Sequence, residues 1–218
     1  MTEKEGSSFN RLRWFLILIF FLFNIFIVFS YSNTNLLALD SFAVTALIFI
    51  VVFLFVRERY GLKGTVAFFL IASGVSLFFE NFSVITGFPY GLYNYSPSLG
   101  VLPVPLIIIF EYFAMGYLSW ILANVLTGQY SQKLKGKQVF LVPFIATFLM
   151  VMWDLTVDPI SSTLQGLWVW HNPGAYFGVP LSNYFGWFMV VYIIFQLFGI
   201  YLTKYDSITE EKIAELSN

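Results

Sequence analysis

Five acidic residues stand where no base is present to neutralise them. Asp40, Glu80, Glu111, Asp154 and Asp158 fall in or beside long apolar runs free of Lys and Arg, whereas Glu3, Glu5, Glu58, Asp206, Glu210, Glu211 and Glu215 sit among the basic residues. An ionised carboxylate in hydrocarbon costs at least about 2.5 kcal/mol, so such a group faces a protein interior or keeps its proton. Asp154 and Asp158 are four residues apart and share a helix face with Thr147, and Ser73, Ser76 and Glu80 form a second polar stripe. Glu111 lies eight residues into the run that begins at Pro103, roughly 12 Å along a helix rising about 1.5 Å per residue. Three helices are therefore expected to direct carboxyl groups into one cavity. Like charges and low dielectric both favour the neutral form, and a carboxyl that keeps its proton near neutral pH is a Brønsted acid. Asp40, followed by Ser41, is expected to cap a helix start instead.

The elements that must position these acids are membrane spans. Of the 218 residues 59% are hydrophobic, 21% aromatic and 11% charged, against roughly a quarter charged in ordinary globular chains. Mean hydropathy is +0.79. Apolar runs at 12–31, 36–56, 64–80, 103–126, 138–157 and 181–203 each approach the roughly 20 residues that cross a bilayer as a helix. The first has no small-residue cleavage site after it and is expected to be a retained helix rather than a signal peptide. All 11 Lys and Arg lie before or at the very start of the first run, where Arg13 stands, or after the second, fourth and sixth. By the positive-inside rule both termini are then cytoplasmic. The expected fold is an all-α integral membrane protein: one polytopic domain over 1–218, a six-helix transmembrane bundle with two long, aromatic, Gly/Pro-rich outer loops at 81–102 and 159–180. The expected location is the cell membrane, multi-pass, with membrane lipids as neighbours.

The same inventory excludes several chemistries. The chain has no Cys and one His, His171, so thiolate metal sites, iron–sulfur clusters, disulfides and multi-histidine metal sites are ruled out, and no cofactor is expected. The Lys133, Lys135 and Lys137 run is a topological signal, and nucleic acid is not expected as a partner. The DLTVD spacing is like that of membrane prenyltransferases, but a diphosphate needs basic residues and the outer face has none. Lys is absent from every span interior, which argues against a retinal Schiff base. An uncharged, apolar substrate handled by acids and aromatic rings remains.

The segments SGVSLFFENFSVITGFPYGLYNYSPSLG, DLTVDP, GLWVW and GAYFGVPLSNYFGWF resemble the CruF-type carotenoid biosynthesis proteins, over about 74–190. The resemblance implies an enzyme of the hydro-lyase type that adds water across the terminal 1,2 double bond of a carotenoid. In archaeal members the implied substrate is bisanhydrobacterioruberin, giving bacterioruberin, and in bacterial members a monocyclic or acyclic carotene. The positions that match its pattern are the Glu80 region, Tyr93, Tyr95, Asp154, Asp158, Trp168, Trp170, Tyr176, Pro180 and Asn183. Glu111 rests on the chemistry of its placement alone.

Protonation of such an alkene at C2 leaves a tertiary cation at C1, which calls for a neutral acid, electron-rich walls and a positioned water. The expected catalytic set is Asp154, Asp158, Glu80 and Glu111: one aspartate gives the proton, and its neighbour or Glu80 orients and deprotonates the water. Tyr93, Tyr95, Trp168, Trp170, Tyr176 and Asn183 are the expected substrate contacts, the rings facing the cation with their π clouds. His171 is expected to be a hydrogen-bonded loop residue. Other readings of the same residues are a carotenoid cyclase, in which an alkene captures the cation, a proton-coupled transporter, and a non-catalytic carotenoid- or lipid-binding protein. Oligomeric state and chain length of the substrate are not legible.

Overall fold

The computed structural model describes residues 14–19, 21, 22, 25, 34–99, 102–130 and 132–206. The expected first span, 12–31, lies largely outside them. Among the described residues four helices are long and apolar enough to cross a membrane. Helix α1 covers Thr34–Thr86, α2 Ile107–Leu126, α3 Gln138–Asp158 and α4 Leu181–Tyr205.

The 53-residue α1 is two helices in one. At Gly61 the backbone takes φ 66° and ψ 178°, a conformation that glycine adopts without a Cβ clash, and the chain doubles back. Phe49 and Phe69 show the reversal, since a straight helix would hold residues so far apart in sequence roughly 30 Å from each other. Their ring centroids are 6.2 Å apart. The two limbs thus correspond to the expected spans 36–56 and 64–80. Asp40 falls inside the first limb rather than at its start, among residues 34–43 whose side chains are not described.

Two boundaries move for local reasons. Helix α2 begins at Ile107 instead of 103, because Pro103 and Pro105 precede it and proline keeps the residue before it out of helical conformation. Helix α3 runs past Asp158 into a wider turn, Pro159–Leu164, as proline supplies no amide to the regular ladder. The chain is mostly helical, as expected, but it also carries a small sheet. The connections on either side of α2 and α3 hold short strands, β1 (Tyr93–Tyr95) and β2 (Trp168–Trp170), paired antiparallel with Tyr93 opposite Trp170 and Tyr95 opposite Trp168. Aromatic and β-branched residues favour such pairing, and backbone near the bilayer needs a protein partner where water is scarce.

The helix exteriors are apolar: Ile85 and Phe185 are each 77% exposed and Leu70 63%, surfaces that lipid covers and water does not tolerate. Inside, Phe68 contacts Phe113 and Phe198, and Trp120 contacts Phe195 and Phe198. This ring layer separates two polar ends. At one end Arg59 holds Asp206 through two hydrogen bonds of 3.1 Å and donates to the Tyr130 and Gln132 carbonyls. That pair joins the turn of α1, the α2–α3 connection and the end of α4. The unneutralised acids gather at the other end.

Candidate active site

A cavity of about 420 Å³ opens among the acid-bearing helix ends, within the usual range for small-molecule pockets. Glu80, Glu111, Asp154 and Asp158 all line it, and among the described residues no Lys, Arg or His does. Tyr93, Tyr95, Trp168, Trp170 and Asn183 line it as well. Tyr176 does not: it packs against Phe177 and Tyr184, and its hydroxyl donates to the Leu155 carbonyl.

Asp154 and Asp158 form one unit because a four-residue step returns to the same helix face. The amide nitrogen of Asn183, in the first turn of α4, donates to Oδ2 of both, at 3.2 Å to Asp154. Both aspartates are buried, and Asp158 Oδ1 has no hydrogen-bond partner among the described residues. The indole nitrogen of Trp170 is likewise buried without one. An unpaired acceptor and an unpaired donor lining one cavity are the kind of groups an ordered water satisfies.

Glu80 is held differently. Three phenol hydroxyls donate to it: Tyr93 and Tyr95 to Oε2, and Tyr112 to Oε1 at 2.9 Å. A carboxylate offers about four lone-pair positions, so one stays open. Tyr112 in turn pairs with the Tyr90 hydroxyl at 2.9 Å and stacks on Trp187, with centroids 4.8 Å apart. Burial first, and then the charge of Glu80, raise the Tyr90, Tyr93 and Tyr95 hydroxyls well above the ordinary phenol range, so they remain donors. Glu111 lines the same cavity.

The strands explain how loop residues reach helix-borne acids. Pairing β1 with β2 places Tyr93, Tyr95, Trp168 and Trp170 beside one another, with Tyr93 and Trp170 rings 4.9 Å apart. His171 acts as a tie, as its sequence context suggested: its amide donates to the Leu92 carbonyl and its Nε2 bonds the Asn94 side chain. Tyr90, Tyr112, Trp153, Trp187, Ser161 and Gln165 also line the cavity and were not singled out from sequence. For Tyr112 the available signal was its position next to Glu111.

A family model described as carotenoid biosynthesis protein matches residues 39–216. The chain belongs to that family. A relative named bisanhydrobacterioruberin hydratase, from Haloarcula japonica, is 31% identical over 141 residues, which cover 63% of this chain and 44% of the relative. The match thus spans less than half of that protein's length. No solved structure matches the chain.

Proposed function

We propose that this protein is a membrane carotenoid hydratase that adds water across the terminal C1,C2 double bond of an acyclic isoprenoid end group. The observation that carries the reading is the cavity itself, four carboxyl groups and a set of aromatic rings with no cationic side chain among the described residues of the lining. A diphosphate or another anionic substrate has nothing to hold it there. An alkene needs what is present.

In this reading the aspartate pair carries one proton, because two adjacent buried carboxyls do not both ionise cheaply. Asp158, whose Oδ1 is unpaired, gives that proton to C2. The pair of π electrons forms the new C–H bond and leaves a tertiary cation at C1. Aromatic faces stabilise such a cation by about 0.5–2 kcal/mol each, and Trp170, Trp168, Tyr93 and Tyr95 stand in the lining. Glu80 is the base. Three hydroxyl donors suit an ionised carboxylate, and its remaining lone-pair position accepts a proton of the water that attacks C1. The product is a tertiary alcohol, and one proton passes from Glu80 back to the aspartates before the next cycle. Glu111 is the fourth carboxyl of the same lining.

A proton-coupled transporter would need a polar route past the ring layer. Three polar side chains among the described residues on the far side are engaged: Asn124 donates to the Trp120 carbonyl, Gln196 to the Val139 carbonyl and Tyr192 to Gln196. The deciding experiment is expression in a host that accumulates acyclic carotenoids, with mass analysis of the pigments. Hydration adds the mass of one water, places solvent deuterium at C2 and labelled water oxygen at C1. An isomeric product of unchanged mass would make the protein a cyclase and overturn the reading.

A further inference from the structure

The acid cavity receives an end group, yet a carotenoid is far longer than its end. A second hollow of about 290 Å³ adjoins the cavity, and the two share Ile48 and Leu118 in their walls. From there it follows the first limb of α1 through Val51 and Val52 to Phe55, and α2 to Ile121, with Ile17 from the amino-terminal part of the chain completing its wall. The step from Ile48 to Phe55 is roughly 10 Å along a helix at about 1.5 Å per residue. Its lining is apolar apart from Tyr117, whose hydroxyl donates to the Phe55 carbonyl at 3.5 Å. The hollow therefore runs beside the central ring layer and away from the acids.

We propose that this hollow binds the rigid polyene arm of the substrate while the end group lies among the carboxyls. A conjugated chain cannot fold back on itself, so it needs a straight exit from the cavity. β1 and β2 supply Tyr93, Tyr95, Trp168 and Trp170 to the cavity wall, and the hollow leads off from that cavity along the first limb of α1 and α2. Adjacency to the acid cavity, through the shared walls at Ile48 and Leu118, is what selects a polyene over a bilayer acyl chain, which has no reason to abut four carboxyls. The identity of the end group rests on the hydratase reading, but the location of the arm does not. Val51, Val52 and Ile121 are then specificity-determining residues for the length and rigidity of the substrate.

The test fills the hollow and leaves the acids alone. Purified wild type, Val51→Trp and Ile121→Trp are offered a full-length acyclic carotenoid and a short acyclic isoprenoid alkene with the same end group. Binding of the carotenoid is read from its induced visible circular dichroism. Both Trp variants should bind the full-length carotenoid at least about tenfold more weakly, and kcat/KM for it should fall by a similar factor relative to that for the short alkene. Val51→Phe, a milder filling, must move both readouts in the same direction should a Trp variant fail to insert. Unchanged carotenoid binding in the filled variants overturns the proposal, as does unchanged binding accompanied by loss of co-purified lipid, which would make the hollow a lipid groove. Weakened carotenoid binding with no hydration of either compound by wild type would keep the hollow and remove the hydratase reading.

Discussion

The two carboxyl groups of α3 are bridged by one amide, and the carboxyl of α1 is held by three phenols; on that contrast rests the proposal of the first as acid and the second as base. Asp158→Asn and Asp154→Asn should each lower hydration at least about 10²-fold, since general acid catalysis contributes 10²–10⁴-fold and an amide has no comparable proton to give. The loss belongs in kcat, with carotenoid binding little changed, and single-turnover kinetics checks it. Near-normal turnover in both variants would move the proton donor to Glu80 or Glu111. The phenols outside the spans give a pH prediction. Tyr93 and Tyr95 hold their protons well above the ordinary phenol range, while in the unfolded chain they ionise near pH 10. Between those values the folded state binds more protons than the unfolded one, so their contribution is intact below about pH 10 and stability falls as pH rises beyond it. Thermal unfolding in detergent at rising pH should show that loss, and Tyr93→Phe with Tyr95→Phe should flatten it. The aspartate pair was legible in sequence because its spacing is helical. Tyr112 and Tyr90 were not, since a lone tyrosine in an apolar or Gly/Pro-rich stretch carries no periodic signal. Tyr176 was misleading for the related reason that aromatic residues abound in these connections, whatever they face.

Helix α4 meets the 88–91 turn without space to spare. A Cβ at Gly186 would stand 2.7 Å from the Tyr90 ring and 2.8 Å from the Pro89 backbone, closer than side-chain adjustment alone relieves. Gly186→Ala should therefore destabilise the protein by about 1–3 kcal/mol, as overpacking does. It should also cost activity by displacing Tyr90 from Tyr112, the partner that reaches Glu80. A lowered melting temperature with hydration lost in proportion to misplaced Glu80, measured as kcat at a temperature where the variant is folded, checks this. A variant as stable and active as wild type would show that the turn moves freely. At this scale the apolar runs located the helices well, because membrane spans are set by length and composition. The pairing of β1 with β2 was hidden. Each strand is three residues long, and its partner lies on the far side of two helices in the chain, so no local pattern announces it.

Across the molecule, charge is sorted by end. Arg57, Arg59, Lys63, Lys133, Lys135, Lys137 and Lys204 stand at or beside the ends of helices remote from the acid cavity, with Arg59 and Asp206 locked together in the protein interior. Lys and Arg in short connections set orientation during insertion, so the basic end should face the cytoplasm and the acid cavity the opposite side. In the proposed mechanism the sorting has a chemical use. Any cation near the cavity would pair with a carboxylate and oppose the carbocation, and segregation by topology keeps cations away without a dedicated barrier. Exposed positions on the two ends test the orientation: Asn172→Cys on the β2 side and Lys135→Cys on the basic side, each introduced into a chain with no native cysteine. In intact cells an impermeant thiol reagent should label the first and spare the second, and permeabilised cells should show both. The reverse pattern would turn the protein over in the membrane, placing the acids and their water supply on the cytoplasmic side while leaving the geometry of the cavity untouched.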